Sequence, residues 1–269
     1  MTPLWRATTA LRLTTLLHAG CAVLTVLRPA IWPWALGLVV ANHLLLGMAT
    51  MWPRSHLLGA NMTRLPAAAI RRNEVALTFD DGPDPEITPK VLDLLDQYGA
   101  KASFFCIGER VAAYPELARE IIRRGHSVEN HTYRHANVFA LFGPVVAQRE
   151  IKAAQNDIQT VTGIAPLFFR APMGFRNPFL IPLVERADLR YASWTRRGYD
   201  TVARQPEKVL QRLLRGIAAG DILLLHDGCA THVNSGTPLI LEVLPCLLER
   251  LQAHQLKAVS LPAACKYVG

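Results

Sequence analysis

The sequence predicts an α/β protein built on a parallel sheet, open or closed into a barrel, with a helical membrane segment ahead of it. Three observations carry that expectation. From Val75 onward, short β-rich runs alternate with amphipathic helical stretches about seven times. Polar clusters fall where several of the β-rich runs end, as chemistry does in a barrel. The first 72 residues hold two apolar stretches, seven arginines and no acid or Lys.

The head comes first. Leu13 to Leu27 is an apolar stretch carrying His18, and Ala30 to Trp52 is a longer one carrying Asn42 and His43. The second is long enough to span a bilayer, which takes about 20 residues. The first is marginal. Arg28-Pro29 makes a tight break between them, and Trp32, Trp34 and Trp52 sit at the ends of the second, as interfacial aromatics do. A cleaved signal peptide leaves the second stretch unexplained. "LHAGC", ending at Cys21, resembles a lipobox, but His18 stands where Leu belongs and the apolar run continues past the Cys. A membrane hairpin or single anchor is the favoured reading, with 1–72 as anchor and basic linker and 73–269 as the second domain. A hairpin puts Arg6 and Arg12 on the same side as Arg54, Arg64, Arg71 and Arg72. The positive-inside rule then places the second domain at the cytoplasmic face of a bacterial inner membrane.

Charge and cysteines exclude other classes. The net charge is +8, but residues beyond 72 hold 22 bases and 21 acids. A nucleic-acid binder carries its basic excess on the folded domain, so no nucleic-acid partner is expected. Five cysteines without a C-x-x-C give neither a disulfide framework nor a thiolate metal knuckle. Unpaired Cys106, Cys229, Cys246 and Cys265 fit a reducing compartment; Cys229, after "HDG", is a candidate for the active face, with a free structural Cys the favoured reading.

The elements of the body follow in order. Val75–Phe79 reads as a strand and Pro89–Tyr98 as a helix, its "VLDLLDQY" showing helical spacing. Ala102–Ile107 is a strand, Pro115–Arg124 a helix stopped by Gly125, and Ser127–Glu129 a short strand. Pro144–Thr162 is a long helix closed by Gly163. Then come a strand at Leu167–Arg170, a helix at Pro178–Ala187 and a strand at Arg190–Trp194. The pattern ends with a helix at Pro206–Ala219, a strand at Asp221–His226, a helix at Thr237–His254 and a strand at Lys257–Leu261.

"VALTFDDGPDP", Val75–Pro85, ends a strand with two adjacent carboxylates. Burying either is costly unless it is paired or binds a cation; the bland alternative is an Asp-Asp-Gly-Pro turn. "ENHTYRH", "FRAP" and "LLHDG" also stand at strand ends, which weakens the turn reading. "NHTYRH" places His131 and His135 four apart, on one face if the segment is helical. One Asp and two His make three ligands and leave positions open for water and substrate, as a hydrolytic metal site requires.

"TFDDGP", "NHTYRH", "RAPMG" and "ILLLHD", in that order, resemble the motifs of the polysaccharide deacetylase family, the NodB-homology or carbohydrate esterase 4 family. The resemblance covers roughly residues 74–262. It implies a distorted (β/α)7-type barrel, a divalent metal and removal of an N-acyl, usually N-acetyl, group from an amino sugar. It further implies that Asp81, His131 and His135 hold the metal, that Asp80 is the general base, that His226 is the general acid, and that Arg170 pairs with the base. Zn²⁺ is the default metal, and an Asp-His-His set also tolerates Co²⁺, Ni²⁺ or Mn²⁺. The backbone N–H of Met173 is expected near the tetrahedral oxyanion.

Two departures stand out. Met173 occupies a position commonly aromatic in the family. "WTRRGYD", Trp194–Asp200, stands where the family usually has an acidic stretch ending in Asp-Trp. Asp200 is expected to orient His226 and raise its pKa, and Arg196 and Arg197 are candidates to meet a phosphate or to form a solvated basic turn. The membrane head favours a lipid-linked substrate over a secreted polymer. A catalytically inactive carbohydrate-binding relative is the alternative from another class, and a deformylase of a lipid-linked amino sugar is a variant of the first.

Overall fold

The computed structural model describes residues 7–229, 231–233 and 236–266. Arg6, one of the bases counted for the head, lies outside the described residues. The head is a helical hairpin. Helix α1 spans Thr9–Leu27 and helix α2 spans Trp32–Met51, joined by a short 3-10 turn at Pro29–Ile31. The first helix begins four residues before the expected Leu13, because the Thr8 side chain caps it by accepting the Leu11 N–H at 3.3 Å. Both helices are long and apolar enough to cross a membrane. Their polar side chains meet across the hairpin. Thr14 Oγ1 donates to Asn42 Oδ1 at 3.2 Å, and the His18 and His43 rings pack edge to face at 5.1 Å. Each imidazole Nδ1 also bonds a carbonyl one turn earlier, Thr14 and Val39.

The body is one all-parallel sheet: β1 (Glu74–Asp80), β2 (Ser103–Cys106), β3 (Ser127–Asn130), β4 (Phe168–Phe169), β5 (Arg190–Tyr191), β6 (Arg196–Arg197), β7 (Ile222–His226) and β8 (Lys257–Val259). The order is β5-β4-β3-β2-β1-β7-β6, with β8 beside the start of β1. The sheet curls into a half-barrel and stays open between its edges, β5 and β6.

The alternation of β1 explains where the site lies. Val75, Leu77 and Phe79 join the main core with the helices Thr88–Gln97 and Leu239–Ala253. Ala76 faces the other way, into the curl, with Phe105, Leu224 and Trp194. Period two then puts Thr78 and Asp80 on this inner face. Full burial of each such apolar side chain contributes about 1.5–3 kcal/mol, so the register resists a slip that would turn Asp80 outward.

The helix Pro144–Thr162 matches the sequence reading, ended by Gly163 at φ 73°. The expected strand Arg190–Trp194 is instead divided. The chain leaves β5 after Tyr191, because the carbonyls of Ala192 and Ser193 turn to accept Arg170 and the Trp194 ring enters the inner core. It resumes as β6 at the opposite edge.

A domain boundary at 72/73 falls inside packed structure. Met62 pairs with Ala192, the Leu65 N–H bonds the Gly220 carbonyl, and Leu65 and Ala69 belong to the inner core. Residues 53–72 are therefore part of the body rather than a linker. Arg64 reaches Asp221 at 2.9 Å.

Candidate active site

Asp80, Asp81, His131, His135 and His226 line one cavity of about 270 Å³ at the C-terminal ends of β1, β3 and β7. Arg170 and Asp200 are buried behind them. The sheet register brings these residues together: Asp80 lies opposite His226 on β7 and opposite Phe105 on β2.

Two imidazoles meet Asp81, but not from a helix. Residues 131–135 form a loop in which Thr132 and His135 take left-handed backbone, φ 66° and 51°. Asn130 Oδ1 accepts the Thr132 N–H and Thr132 Oγ1 accepts the His135 N–H, both at 3.0 Å. This loop, not a helical face, sets the rings 4.7 Å apart. Asp81 is itself left-handed at φ 73°, as are Met173, Tyr199 and Cys229 near the same rim. Such conformations are costly for non-glycine residues and gather where a site needs them.

The trio fits a divalent cation. Asp81 Oδ1 lies 3.4 Å from His131 Nε2 and 3.1 Å from His135 Nε2, and the three ligand atoms fall within 4.8 Å of one another. That oxygen is buried without a hydrogen-bond partner. His131 Nδ1 stands 2.7 Å from the Arg170 carbonyl, which fixes the proton on Nδ1 and leaves the Nε2 lone pair facing Asp81. Burial alone would raise the Asp81 pKa, yet His131 and His135 hold it well below the usual carboxylate range. Burial would lower the His131 pKa, and the charges of Asp80 and Asp81 raise it instead. His135 is pushed down to about 4 by burial and by His131. Three electron-pair donors converge on a point with negative potential.

Two further pairs flank the trio. Arg170 Nη1 donates to Asp80 Oδ1 at 2.5 Å and to Thr78 Oγ1 at 3.0 Å, and its guanidinium lies 4.0 Å from the Phe105 ring centre. Asp80 Oδ2 is left on the His131 side, 3.7 Å from Nε2. Asp200 Oδ1 pairs with His226 Nδ1 at 3.0 Å, and its Oδ2 accepts the His226 backbone N–H at 2.8 Å. Burial would lower the His226 pKa, but the Asp200 carboxylate outweighs it, with Asp80 and Asp81 adding, and pushes the value to about 9.

Met173 lines the cavity at φ 58°, half exposed, and Cys229 lines it too. Arg196 is fully engaged: Nε donates to Asp221 Oδ2 at 2.5 Å, and its two other nitrogens donate to the carbonyls of Arg215 and Gly216. It braces β6 and is not available to a phosphate. All five cysteines are free.

Three supporting residues are assigned no role by the motifs. Glu129 accepts the Leu167 and Phe168 N–H groups inside the sheet, and burial pushes its pKa to about 7. Asp227 accepts Thr88 Oγ1–H at 2.6 Å under the Asp81 loop, also pushed to about 7 by burial. Arg176 is fully buried, its guanidinium 4.9 Å from the Tyr191 ring centre and bonded to the Ser55 carbonyl. Arg176 carries no signal for this role in the sequence, and Glu129 only its place at the head of "ENHTYRH". Asp227 carries one, as a second polar residue beside His226 at the strand end "LLHDG".

Known proteins share this chain's features. The polysaccharide deacetylase profile matches residues 68–192. A chitooligosaccharide deacetylase of Azorhizobium caulinodans is 33% identical over 205 residues, covering 73% of this chain and 97% of that protein. A peptidoglycan-N-acetylglucosamine deacetylase of Bacillus cereus is 36% identical over 162 residues, 57% of this chain and 72% of that protein. A solved peptidoglycan N-acetylglucosamine deacetylase superposes with a TM-score of 0.67 at 28% identity, over 76% of this chain and 92% of that chain. The chain therefore belongs to the polysaccharide deacetylase family, metal-dependent hydrolases that remove acyl groups from amino sugars.

Proposed function

We propose that the protein hydrolyses the amide of an N-acylated amino sugar, with acetyl as the acyl group, releasing the amine and the acid. One observation carries the reading: a trio that fits a divalent cation, an Asp80 held by buried Arg170 and a His226 held by buried Asp200 line one cavity. The relatives named for deacetylation of chitooligosaccharides and of peptidoglycan N-acetylglucosamine support the substrate class.

Asp81, His131 and His135 would hold the ion, Zn²⁺ by default. When bound, a divalent ion supplies Lewis acidity for attack on an amide carbonyl. Asp80 Oδ2 takes the proton of the attacking water, while Arg170 fixes the carboxylate through Oδ1. His226 donates a proton to the departing nitrogen, since its raised pKa keeps it charged at neutral pH. Asp200 orients that ring through Nδ1, leaving Nε2 as the donor. Met173 lines the cavity, and its backbone N–H would supply a donor to the oxyanion.

The hairpin anchors the protein in a bacterial inner membrane. Its outer faces bare Val26 and Trp34 at 80% and 79% exposure, which suits lipid and not water. Both hairpin ends then share one side with Arg12, Arg54, Arg64, Arg71 and Arg72, placing the body at the cytoplasmic face. A membrane-borne site favours a lipid-linked amino sugar. A C-terminal alkaline phosphatase fusion is expected to be silent and a fluorescent-protein fusion bright; the reverse refutes this side. The alternative, an inactive carbohydrate-binding relative, is disfavoured because base, acid and three ligands are all present.

The activity test is acetate release from N-acetylated chitooligosaccharides by the full chain in detergent, loaded with Zn²⁺. Release is expected, and it should vanish in Asp80→Asn. No release from any N-acylated amino sugar under these conditions rejects the reading.

A further inference from the structure

A second cleft of about 500 Å³ adjoins the catalytic cavity, and Met173, Trp194 and Arg197 are walls of both. Met51 and Trp52, at the end of α2, also line it. The lining holds four arginines, Arg54, Arg196, Arg197 and Arg212, and no acidic residue. Arg196 is neutralised by Asp221. The other three have no carboxylate partner among the described residues.

These three are held in place without being neutralised. Arg54 Nη1 donates to the Thr195 carbonyl and Arg212 Nη1 to the Gly198 carbonyl, each at 3.2 Å. The Arg197 guanidinium lies 5.4 Å from the Trp194 ring centre and 4.9 Å from that of Tyr199. The Arg212 guanidinium lies 5.5 Å from the same Tyr199 ring. One aromatic ring therefore has two guanidinium groups against it. Arg197 Nε is buried with no hydrogen-bond partner. Gathering like charges and burying a charged donor unpaired is unfavourable. Cation–π contacts offset part of this cost, and a bound anion would offset the rest. Planar guanidinium forks match phosphoryl oxygens two at a time.

We propose that this cleft is a phosphoryl subsite: the amino sugar carries a phosphate or phosphodiester, held by Arg197 and Arg212 with Arg54 at the mouth. The proposal rests on the deacetylase reading of the adjoining cavity and narrows which sugars enter it. The shared walls place the phosphoryl group beside the sugar whose amide reacts. A free sugar phosphate and a polyisoprenyl-linked one present the same chemistry, and the end of α2 admits either.

Calorimetry with the full chain, metal-loaded and in neutral detergent, tests it in an Asp80→Asn background that suppresses turnover. The probes are N-acetylglucosamine 1-phosphate and the neutral methyl glycoside of N-acetylglucosamine. The phosphate is expected to bind about 10- to 100-fold tighter, with the advantage shrinking as salt rises. Arg197→Gln with Arg212→Gln should bring the ratio near one. Arg54→Gln alone, at an exposed position where folding is not at stake, should remove part of it. Equal binding of the two probes, or an advantage that survives the double substitution, overturns the proposal. Loss of the advantage on adding phosphatidylglycerol also overturns it, because the cleft would then serve the bilayer's own headgroups. A polyisoprenyl-linked probe in nanodiscs identifies the source: further tightening assigns a lipid-borne sugar phosphate, and unchanged affinity a soluble one. Binding in Asp80→Asn is read apart from turnover, so a phosphoryl advantage there, with no acetate release by the wild-type chain, would sink the deacetylase reading while the phosphoryl subsite itself stands.

Discussion

Arg170 Nη1 stands 2.5 Å from Asp80 Oδ1, with both side chains buried. The arginine spends its other nitrogens on the carbonyls of Ala192 and Ser193, so it has one orientation and offers it to one carboxylate oxygen. Asp80→Asn keeps the shape but cannot take a proton. Turnover is expected to fall about 10²–10⁴-fold, and melting temperature to fall as well, because Arg170 becomes an uncompensated buried charge. Metal content by plasma mass spectrometry should be unchanged. Activity within about tenfold of the parent would assign the base elsewhere.

His131→Ala and His135→Ala each remove one of three converging donors. Bound Zn²⁺ after dialysis should drop to background in both, and acetate release with it. The His131 change should be the harsher for folding, since that ring also bonds the Arg170 carbonyl. Full metal content in either variant would reject the trio as the binding site.

Asp200 holds His226 by two contacts and raises its pKa. A protonated acid is lost as pH climbs through the pKa of the group. Asp200→Asn removes the carboxylate, so the alkaline limb of the kcat profile should move to lower pH, and turnover at neutral pH should fall by about tenfold or more. A profile with the same alkaline limb would mean that another group sets it.

His126 sits just before β3, away from the cavity. Its Nδ1 accepts the Ala102 N–H at 3.2 Å, and burial, aided by Lys101 and Arg124 and opposed by Asp96, pushes its pKa from 6.5 to about 4. The unfolded chain takes up a proton here below 6.5 and the folded chain only near 4. Stability contributed by the neutral ring is thus full above 6.5 and lost as pH falls toward 4, at up to 1.4 kcal/mol per unit, roughly. Urea melts of the wild type should weaken across this window, and those of His126→Gln should weaken less. Parallel curves would rule out this titration.

Much of the site was legible because strand ends advertise it. Asp80-Asp81, "NHTYRH", "FRAP" and "LLHDG" each follow a β-rich run, and the sheet register alone brings Asp80 beside His226. What periodicity could not give was the backbone between. The step from His131 to His135 has helical spacing in sequence, yet two left-handed residues and the Asn130 and Thr132 side chains make it a loop. The split of the expected strand at Trp194 depends on Arg170, from elsewhere in the chain, claiming two carbonyls. In the sequence Arg196 is open to a phosphate or a solvated turn, and only folding shows Asp221 beside it.

The loop that carries Met173 leans on the segment leaving α2. A Cβ on Gly174 would come within 2.5 Å of Trp194 and 2.9 Å of Pro53, the Arg176 N–H bonds the Thr50 carbonyl, and Asn61 Nδ2 clamps the Pro53 and Ser55 carbonyls. The head and the body therefore cannot be parted at a convenient hydrophilic point. A soluble fragment begun at residue 73 forfeits Leu65 and Ala69 from the inner core and Pro53 from the wall of the arginine-lined cleft. One begun near Thr50 retains those supports and sheds nearly all of the apolar hairpin.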